Sequence, residues 1–189
     1  MLKFQLNQLK THLFAGWPPT GFIKNAAYLM FAMLAMAVAT EAAAVNLLTN
    51  PGFETGDKTG WSGTATVASG NANTGIYALA ISGDPSKYRN SAQSVAVVSG
   101  NTYRFEGLVM VTGRTTGNYR FQIRWYNSSG VEFNSARQNF GITNGNTAYA
   151  YSAIEVTAPT GAASVKIQLR ADKADGTGYF DDISITDLT

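Results

Sequence analysis

The sequence predicts an all-β protein, a jelly-roll β-sandwich of two antiparallel sheets preceded by a helical signal peptide. Three observations support this prediction. No run after residue 44 keeps the apolar period of a helix. Glycine is abundant, at 19 residues, and Ser, Thr and Asn fill the gaps between short β-prone runs. Three of those runs alternate apolar and polar residues, as half-buried strands do.

Residues 1–44 are interpreted as a signal peptide. Three lysines accompany an apolar run from Ala26 to Ala39, which is shorter than a membrane-spanning helix needs. The small residues of Ala42-Ala43-Ala44 follow, so we expect cleavage after Ala44 and no membrane partner afterwards. An uncleaved anchor is the alternative, which Trp17-Pro18-Pro19 in the long amino-terminal region keeps open. The expected location is secreted or extracytoplasmic, in the periplasm or at the cell surface.

The charge and residue content of the remaining chain exclude several functions. The leader holds 3 of the 14 basic residues and 1 of the 12 acidic ones, which leaves 11 of each in residues 45–189. A net charge of zero gives no support to a nucleic-acid partner. The sequence has no cysteine, and its single histidine, His12, lies in the leader. Catalytic triads and zinc sites that need an imidazole are therefore excluded from residues 45–189.

Strands are predicted at short intervals throughout residues 45–189, which are interpreted as one sandwich without an internal linker. The turn signals Asn50-Pro51-Gly52 and Asn127-Ser128-Ser129-Gly130 separate some of them, and the second also matches a glycosylation triplet. The predicted strands are 45–49, 63–68, 77–82, 92–98, 102–111, 119–126, 131–140, 148–157, 164–170 and 178–186.

Alternation assigns faces to three strands. The predicted core residues are Tyr119, Phe121, Ile123, Trp125, Ile154, Val156, Val165, Ile167 and Leu169. The predicted outward residues are Arg120, Gln122, Arg124, Tyr126, Tyr149, Tyr151, Glu155, Lys166, Gln168 and Arg170. These outward faces are rich in guanidinium, amide and phenol groups, which are the groups that bind sugars.

The two ends of residues 45–189 are predicted to lie side by side. Asn46-Leu47-Leu48-Thr49 reads as a short strand that enters the Asn50-Pro51-Gly52 turn, with Glu54 just beyond it. The closing strand, Gly178-Tyr179-Phe180-Asp181-Asp182-Ile183, carries two carboxylates.

These two segments, with Gly60-Trp61 and Thr74-Gly75-Ile76-Tyr77-Ala78-Leu79 between them, resemble the secreted carbohydrate-binding modules of families four, nine and twenty-two, whose fold is a galactose-binding-like jelly roll. The resemblance extends from about Val45 to Thr189. It implies a structural calcium ion where the two ends meet. It implies Glu54 and Asp181 as side-chain ligands, with Thr74 and the carbonyls of Gly52 and Tyr77 completing the shell. Calcium takes six to eight oxygen ligands, a mixture of carboxylates and carbonyls. The alternative is that Glu54 caps a turn and Asp181 is a solvated edge residue.

A sugar site is predicted on one sheet. Tyr88 lies in an exposed loop just before a strand, and in similar modules an aromatic near this position stacks on the glycan. Strand parity and the same resemblance add Gln122, Arg124, Phe133, Arg137 and Gln168 across a concave sheet. The alternative is an ordinary solvated sheet face with one buried Phe. Trp61 and Trp125 are expected in the core, and Arg120, Arg124 and Arg170 raise the possibility of acidic glycans.

Three functions are compared. The favoured one is non-catalytic binding of a polysaccharide, oligosaccharide or cell-surface glycan. The alternative is a structural or adhesive protein of the cell envelope, built on the same sandwich without a soluble glycan ligand. An enzyme is disfavoured, because it needs two carboxylates across a sugar and the sequence brings together none of Glu106, Glu132 and Glu155. Nothing in the sequence predicts an oligomeric state.

Overall fold

The computed structural model describes residues 45–189, so the predicted signal peptide, its cleavage site and the alternative of an anchor lie outside the described residues. Ten strands form two five-stranded antiparallel sheets, which confirms the predicted jelly-roll sandwich. The strands are β1 Ser62–Gly63, β2 Thr66–Ser69, β3 Tyr77–Ser82, β4 Tyr88–Ala96, β5 Thr102–Thr112, β6 Asn118–Asn127, β7 Gln138–Thr143, β8 Thr147–Thr157, β9 Ala162–Asp172 and β10 Thr177–Asp187. Sheet A has the order β1-β4-β9-β6-β7 and sheet B the order β2-β3-β10-β5-β8.

The core lies between the two sheets, as alternation along the strands predicts. Phe121, Ile123 and Trp125 of β6 and Ile167 of β9 are completely buried. The ring of Trp125 meets that of Phe105 from the opposite sheet edge to face, with ring centroids 5.9 Å apart. Such aromatic pairs add to the stabilisation from apolar burial, which is the largest favourable term in folding. The positions of Trp61 and Trp125 in the core are both confirmed.

The outward residues of β8 are confirmed with one difference. Tyr151 and Glu155 are exposed, whereas Ile154 and Val156 pack against the core. Tyr149 is only half-buried rather than open to solvent, because its hydroxyl donates to the carbonyl of Asn71 at 2.5 Å.

Three of the predicted strands are wrong as elements. Residues 63–68 contain the end of β1 and most of β2, which belong to different sheets. Residues 45–49 form no strand, although they do lie beside β10 as predicted. Residues 131–140 divide into an isolated bridge between Tyr126 and Glu132, a 3₁₀ turn at Asn134–Ala136 and then β7. The Asn134 side chain accepts a hydrogen bond from Arg137 across that turn, and such side-chain bonding favours turns over strands.

The structure also shows how the two ends of the described chain are joined. Leu47 N–H donates to Ile185 O at 2.9 Å, and the side chain of Asn46 makes two further hydrogen bonds to β10. Ile183 N–H donates to Pro51 O at 3.1 Å, while the Asn50-Pro51-Gly52 turn is closed by Phe53 N–H on Asn50 O. Within residues 45–189, no helix has the length and apolar character to cross a membrane.

Candidate functional site

The outer face of sheet A gathers polar side chains from four neighbouring strands, β4, β9, β6 and β7. The registers place Arg120 of β6 opposite Arg170 of β9, Gln122 opposite Gln168, and Arg124 opposite Lys166. Because side chains alternate between the faces of a strand, these residues share the surface opposite the core. We call this surface the polar face; it is formed by Tyr88, Asn90, Asn118, Arg120, Gln122, Arg124, Asn139, Lys166, Gln168, Arg170 and Asp172.

Arg170 lies at the centre of the polar face. Its Nε donates to Asp172 Oδ1 at 2.9 Å, and its Nη1 lies 3.2 Å from Gln122 Oε1 and 3.3 Å from Gln168 Oε1. Both glutamines are almost completely buried, at 3% and 7% exposure. Their amide oxygens therefore hold the arginine in place and are not open to solvent.

Asp172 joins two arginines that stand directly opposite each other. Arg120 Nη2 lies 2.5 Å from Asp172 Oδ2, and Arg170 Nη2 lies 2.8 Å from Oδ1. Like charges at opposite positions in a sheet repel each other, and the shared carboxylate offsets this repulsion. Arg120 has no second ion pair among the described residues, and its Nε is buried without a hydrogen-bond partner.

A second cluster of the same composition lies at the other end of β6. Arg124 Nε donates to Glu132 Oε1 at 2.9 Å, and Arg137 Nη2 donates to the same oxygen at 2.6 Å. Hydrogen bonds from Arg124, with smaller contributions from Arg137, lower the pKa of Glu132 to about 2. Glu132 is therefore ionised at neutral pH and is shared by two guanidinium groups.

Tyr88 is the exposed aromatic side chain of the polar face, at 59% exposure. It is the first residue of β4, after a turn in which Asp84 Oδ1 accepts hydrogen bonds from both the amide and the hydroxyl of Ser86. The guanidinium carbon of Arg170 lies 5.5 Å from the ring centroid, and Lys173 Nζ lies 5.6 Å from it. Both distances are within the range of cation–π attraction, so these cations help to hold the ring on the face.

Five of the six predicted sugar-site residues lie on or beside the polar face: Tyr88, Gln122, Arg124 and Gln168 belong to it, and Arg137 joins through Glu132. Phe133 does not join them. It is half-buried, packs against the hydrophobic core and faces the turn at Gly161. Its amide donates to Trp125 O at 2.9 Å. The prediction that Phe133 lies on this face is therefore wrong, because its side chain packs against the core.

The six predicted sugar-site residues did not include Arg170 and Asp172, which organise the face, although Arg170 was named among the arginines that would suit acidic glycans. Arg170 had a signal in the sequence, because it shares strand parity with Lys166 and Gln168. Asp172 is the last residue of the same strand, and the sequence pattern around it does not show with which cations its carboxylate forms ion pairs. Asn139 is a third omission, and it accepts a hydrogen bond from Gln122 Nε2 at 2.8 Å.

A separate cluster of carboxylates lies where the beginning and the end of the described chain meet. Glu54 accepts hydrogen bonds from the amides of Ile76 and Tyr77, at 3.0 to 3.1 Å. Gly75, between Thr74 and Ile76, has a φ of +67°, and a Cβ there would lie 2.3 Å from the carboxyl carbon of Glu54. Glycine is therefore required at this position for both the backbone conformation and the space that Glu54 occupies.

Asp181 is completely buried in the same cluster. Its Oδ2 accepts hydrogen bonds from the amides of Asn73, at 2.8 Å, and Thr74, at 3.2 Å. Burial raises its pKa, and the neighbouring Asp182 carboxylate raises it further, against the lowering effect of these hydrogen bonds. Asp182 accepts the hydroxyl of Thr74 at 2.6 Å. The five predicted calcium-site residues are thus brought into one neighbourhood, around a Gly52 whose Cβ position faces Asp181, Asp182 and Glu54.

The oxygen atoms of this cluster fit a hard cation such as calcium in their charge but not in the number of carboxylates that converge. No Lys or Arg of the described chain lies within ion-pair distance of Glu54, Asp181 or Asp182, so their negative charge has no cationic partner. In residues 45–189, however, no three His, Cys, Asp or Glu side chains converge closely enough to hold a metal. A calcium shell there would depend on carbonyl oxygens as well as carboxylates.

Sheet B brings together a pair of glutamates that the sequence did not connect. Glu106 and Glu155 both contact Arg104, and Tyr151 accepts a hydrogen bond from the same guanidinium at 3.1 Å. The contacts with Arg104 and Tyr151 lower the pKa of Glu106 despite its partial burial. A glycosidase acid needs a raised pKa, so Glu106 does not have the character of a general acid.

No protein-family model and no curated protein matches this sequence. Solved structures do match its fold. The enzymatically active domain of bacteriophage CBA120 tailspike protein 4 matches 76% of this chain with a TM-score of 0.63 and 17% identity, and this chain spans 22% of its length. A family 61 carbohydrate-binding module in complex with β-1,4-galactotriose gives a TM-score of 0.53 and 21% identity, over 76% of this chain and 99% of the module.

The CBM22-1 xylan-binding domain of Paenibacillus barcinonensis Xyn10C matches 78% of this chain and 97% of its own, with a TM-score of 0.57 and 16% identity. Residues 45–189 therefore have the jelly-roll sandwich fold that carbohydrate-binding modules share. At these identities the similarity establishes the fold alone, because one sandwich architecture carries many functions.

Proposed function

We propose that this protein is a non-catalytic carbohydrate-binding protein that holds a polysaccharide or a cell-surface glycan on its polar face. The observation that carries the proposal is the exposed ring of Tyr88 beside an ordered layer of arginines on one face of one sheet. An aromatic ring packs against the C–H face of a pyranose, and planar polar groups bond to its hydroxyls. The two modules of the same fold that are named for their binding to galactotriose and xylan make a sugar ligand the natural first test.

The proposal includes export and a structural metal. The apolar segment before Ala44 supports a secreted or extracytoplasmic location, which suits a glycan partner. Glu54 and Asp181 would hold calcium through their carboxylates, with Thr74 and the carbonyls of Gly52 and Tyr77 as further oxygen donors. Bound calcium would supply the positive charge that the buried Asp181 lacks.

Affinity electrophoresis on a panel of neutral and acidic polysaccharides tests the function. We expect the protein to be retarded by at least one polysaccharide and Tyr88→Ala to bind it roughly tenfold more weakly, since an aromatic–sugar contact of this kind is worth about 1 to 2 kcal/mol. Tyr151→Ala is the matched control, because Tyr151 is similarly exposed, at 56%, but lies on sheet B. Its retardation should equal that of the unmodified protein.

The outcomes separate the three functions. Retardation lost only in Tyr88→Ala, with the polysaccharide recovered intact, supports glycan binding at the polar face. New reducing ends in the recovered polysaccharide would contradict the non-catalytic part of the proposal. A folded protein that no glycan retards would contradict glycan binding and favour a structural role in the cell envelope.

A further inference from the structure

We infer that the ligand of the polar face is an acidic polysaccharide, one whose sugars carry carboxylate groups. This inference rests on the proposed function and specifies the class of glycan. Its first basis is the distribution of charge. Residues 45–189 carry 11 basic and 11 acidic residues, yet the polar face and its border concentrate the cations.

The cations outnumber the carboxylates on this surface by four. The six cations are Arg120, Arg124, Arg137, Lys166, Arg170 and Lys173, and the two carboxylates are Asp172 and Glu132. Asp84, in the turn before Tyr88, adds no excess of negative charge, because it lies 3.2 Å from Arg89 and 3.8 Å from Lys87. A sheet face with this excess attracts anions, and the attraction weakens as salt is added.

The second basis is that each carboxylate is shared by two guanidinium groups. Asp172 contacts Arg120 and Arg170, while Glu132 contacts Arg124 and Arg137. One negative charge cannot neutralise two positive ones, so each cluster retains a positive charge. Lys166 has no ion pair among the described residues and lies 5.0 Å from the ring centroid of Tyr126. The carboxylates of Asp172 and Glu132 thus hold the arginines in position but do not neutralise all of their positive charge.

The third basis is that the two glutamine amides at the centre of the face, which would suit neutral sugars, are already in use. Gln122 and Gln168 are nearly buried and bond to Arg170, and Gln122 also bonds to Asn139. The Tyr88 ring and the partly exposed guanidiniums of Arg120, Arg124 and Arg137 remain towards solvent, with side-chain exposures of 20%, 25% and 37% for the three arginines. Lys166 and Asn139 border them. A planar guanidinium meets a carboxylate through two parallel hydrogen bonds, a geometry that sugar hydroxyls do not reproduce.

The experiment compares polymers that differ only in charge. Polygalacturonate and alginate are each tested against the same polymer after chemical reduction of its carboxylates to alcohols, by affinity electrophoresis and titration calorimetry of the purified protein. We expect binding to at least one acidic polymer and roughly tenfold or weaker binding to its reduced form, because hydrogen bonds to charged groups are lost. Raising NaCl from about 50 mM to about 500 mM should weaken binding to the acidic form more than any binding to the reduced form.

Variants place the effect on the polar face. Arg137→Gln and Arg120→Gln should each weaken binding to the acidic polymer by roughly tenfold, and should weaken any binding to the reduced polymer by less. Arg104→Gln is the matched control, because it removes one guanidinium from sheet B, and its binding should not change. If Arg120→Gln fails to fold, the more exposed Arg137 still tests the inference, and Arg137→Lys separates the requirement for charge from the requirement for the guanidinium shape.

Three results would overturn the inference, and the first two would leave the proposed function in place. One is equal binding to an acidic polymer and its reduced form, with both lost in Tyr88→Ala. The second is binding to a neutral glycan alone that is unaffected by salt. Equal or tighter binding to dextran sulfate or to DNA would also overturn it, because the face would then respond to charge and not to a sugar carboxylate. Failure of every polysaccharide to bind would remove the proposed function itself.

Discussion

The side-chain amide of Asn46 occupies the place of a β-strand beside Ile185. Its Oδ1 accepts the amide of Ile185 at 3.1 Å, and its Nδ2 donates to the carbonyl of Ile183 at 2.8 Å. The same Oδ1 accepts the amide of Leu48 at 3.1 Å. One side chain thus satisfies the edge of β10 at a position where residues 45–49 form no ladder of their own, since buried backbone groups must find partners.

Replacement of this side chain should loosen the junction of the two ends. We expect Asn46→Ala to lower the free energy of unfolding by about 2 to 3 kcal/mol, since three hydrogen bonds are lost and two of them serve β10. Asn101→Ala, which removes one hydrogen bond to Asp187, should cost only about 1 kcal/mol. Denaturant unfolding of both variants measures the difference, and an equal loss in the two would contradict the role given to Asn46.

The contact between Glu54 and Gly75 gives a second prediction. Gly75→Ala should destabilise the protein by about 2 to 4 kcal/mol, because the new Cβ displaces Glu54 from the amides of Ile76 and Tyr77 in addition to the cost of the positive φ. Gly70→Ala is the matched control: Gly70 has a φ of +82° but nothing within 4 Å of its Cβ position. It should cost about 1 kcal/mol, and similar losses for both variants would show that space at Gly75 does not matter.

Calcium should stabilise the protein if the carboxylate cluster binds it. A ligand that binds only the folded state raises the free energy of unfolding by about 2.7 kcal/mol at a free concentration of 100 times its Kd. We therefore expect millimolar calcium to raise the Tm of chelator-treated protein and to leave the Tm of Asp181→Asn and Glu54→Gln nearly unchanged. Magnesium is the control cation, because it fits such flexible oxygen sites poorly. Unmodified, metal-free protein whose Tm does not respond to calcium would remove the metal from the proposal.

Glu132 should make stability depend on pH. Its pKa falls from 4.5 to about 2 on folding, so its ionised form is favoured in the folded state. The resulting stabilisation is complete above about pH 4.5 and is lost as the pH falls towards 2, because the unfolded chain then binds the proton first. We expect Glu132→Gln to lose about 1 to 2 kcal/mol at pH 7 and to show a shallower decline of stability between pH 5 and pH 3.

The control for this prediction is Glu155→Gln, which removes an exposed carboxylate from a single arginine contact. An exposed ion pair of this kind contributes about 0.5 kcal/mol, so this variant should follow the pH profile of the unmodified protein. Thermal unfolding at several pH values provides the measurement. A profile of Glu132→Gln that runs parallel to that of the unmodified protein would contradict the assignment.

The sequence by itself determined the sandwich and the sorting of three long strands into a core face and a polar face. Alternation in 119–126 and 164–170 correctly buried Phe121, Trp125 and Ile167, because a strand turns successive side chains to opposite sides whatever it pairs with. It also brought the two ends of the chain together correctly, through the Asn-Pro-Gly turn and the closing strand. The strand prediction failed at residues 45–49, where the side chain of Asn46 makes the hydrogen bonds that a strand backbone would make. It also failed at residues 131–140, which a turn interrupts.

Only the tertiary structure decided which polar groups meet. Arg120 stands opposite Arg170, and Asp172 binds both, through the register between β6 and β9. That register depends on packing between strands about 50 residues apart in the chain, so no local pattern contains it. The same packing buries Gln122 and Gln168 under Arg170 and moves Phe133 towards the core. Local alternation determines on which face of the sheet each side chain lies, whereas its contact partners depend on how strands distant in sequence align.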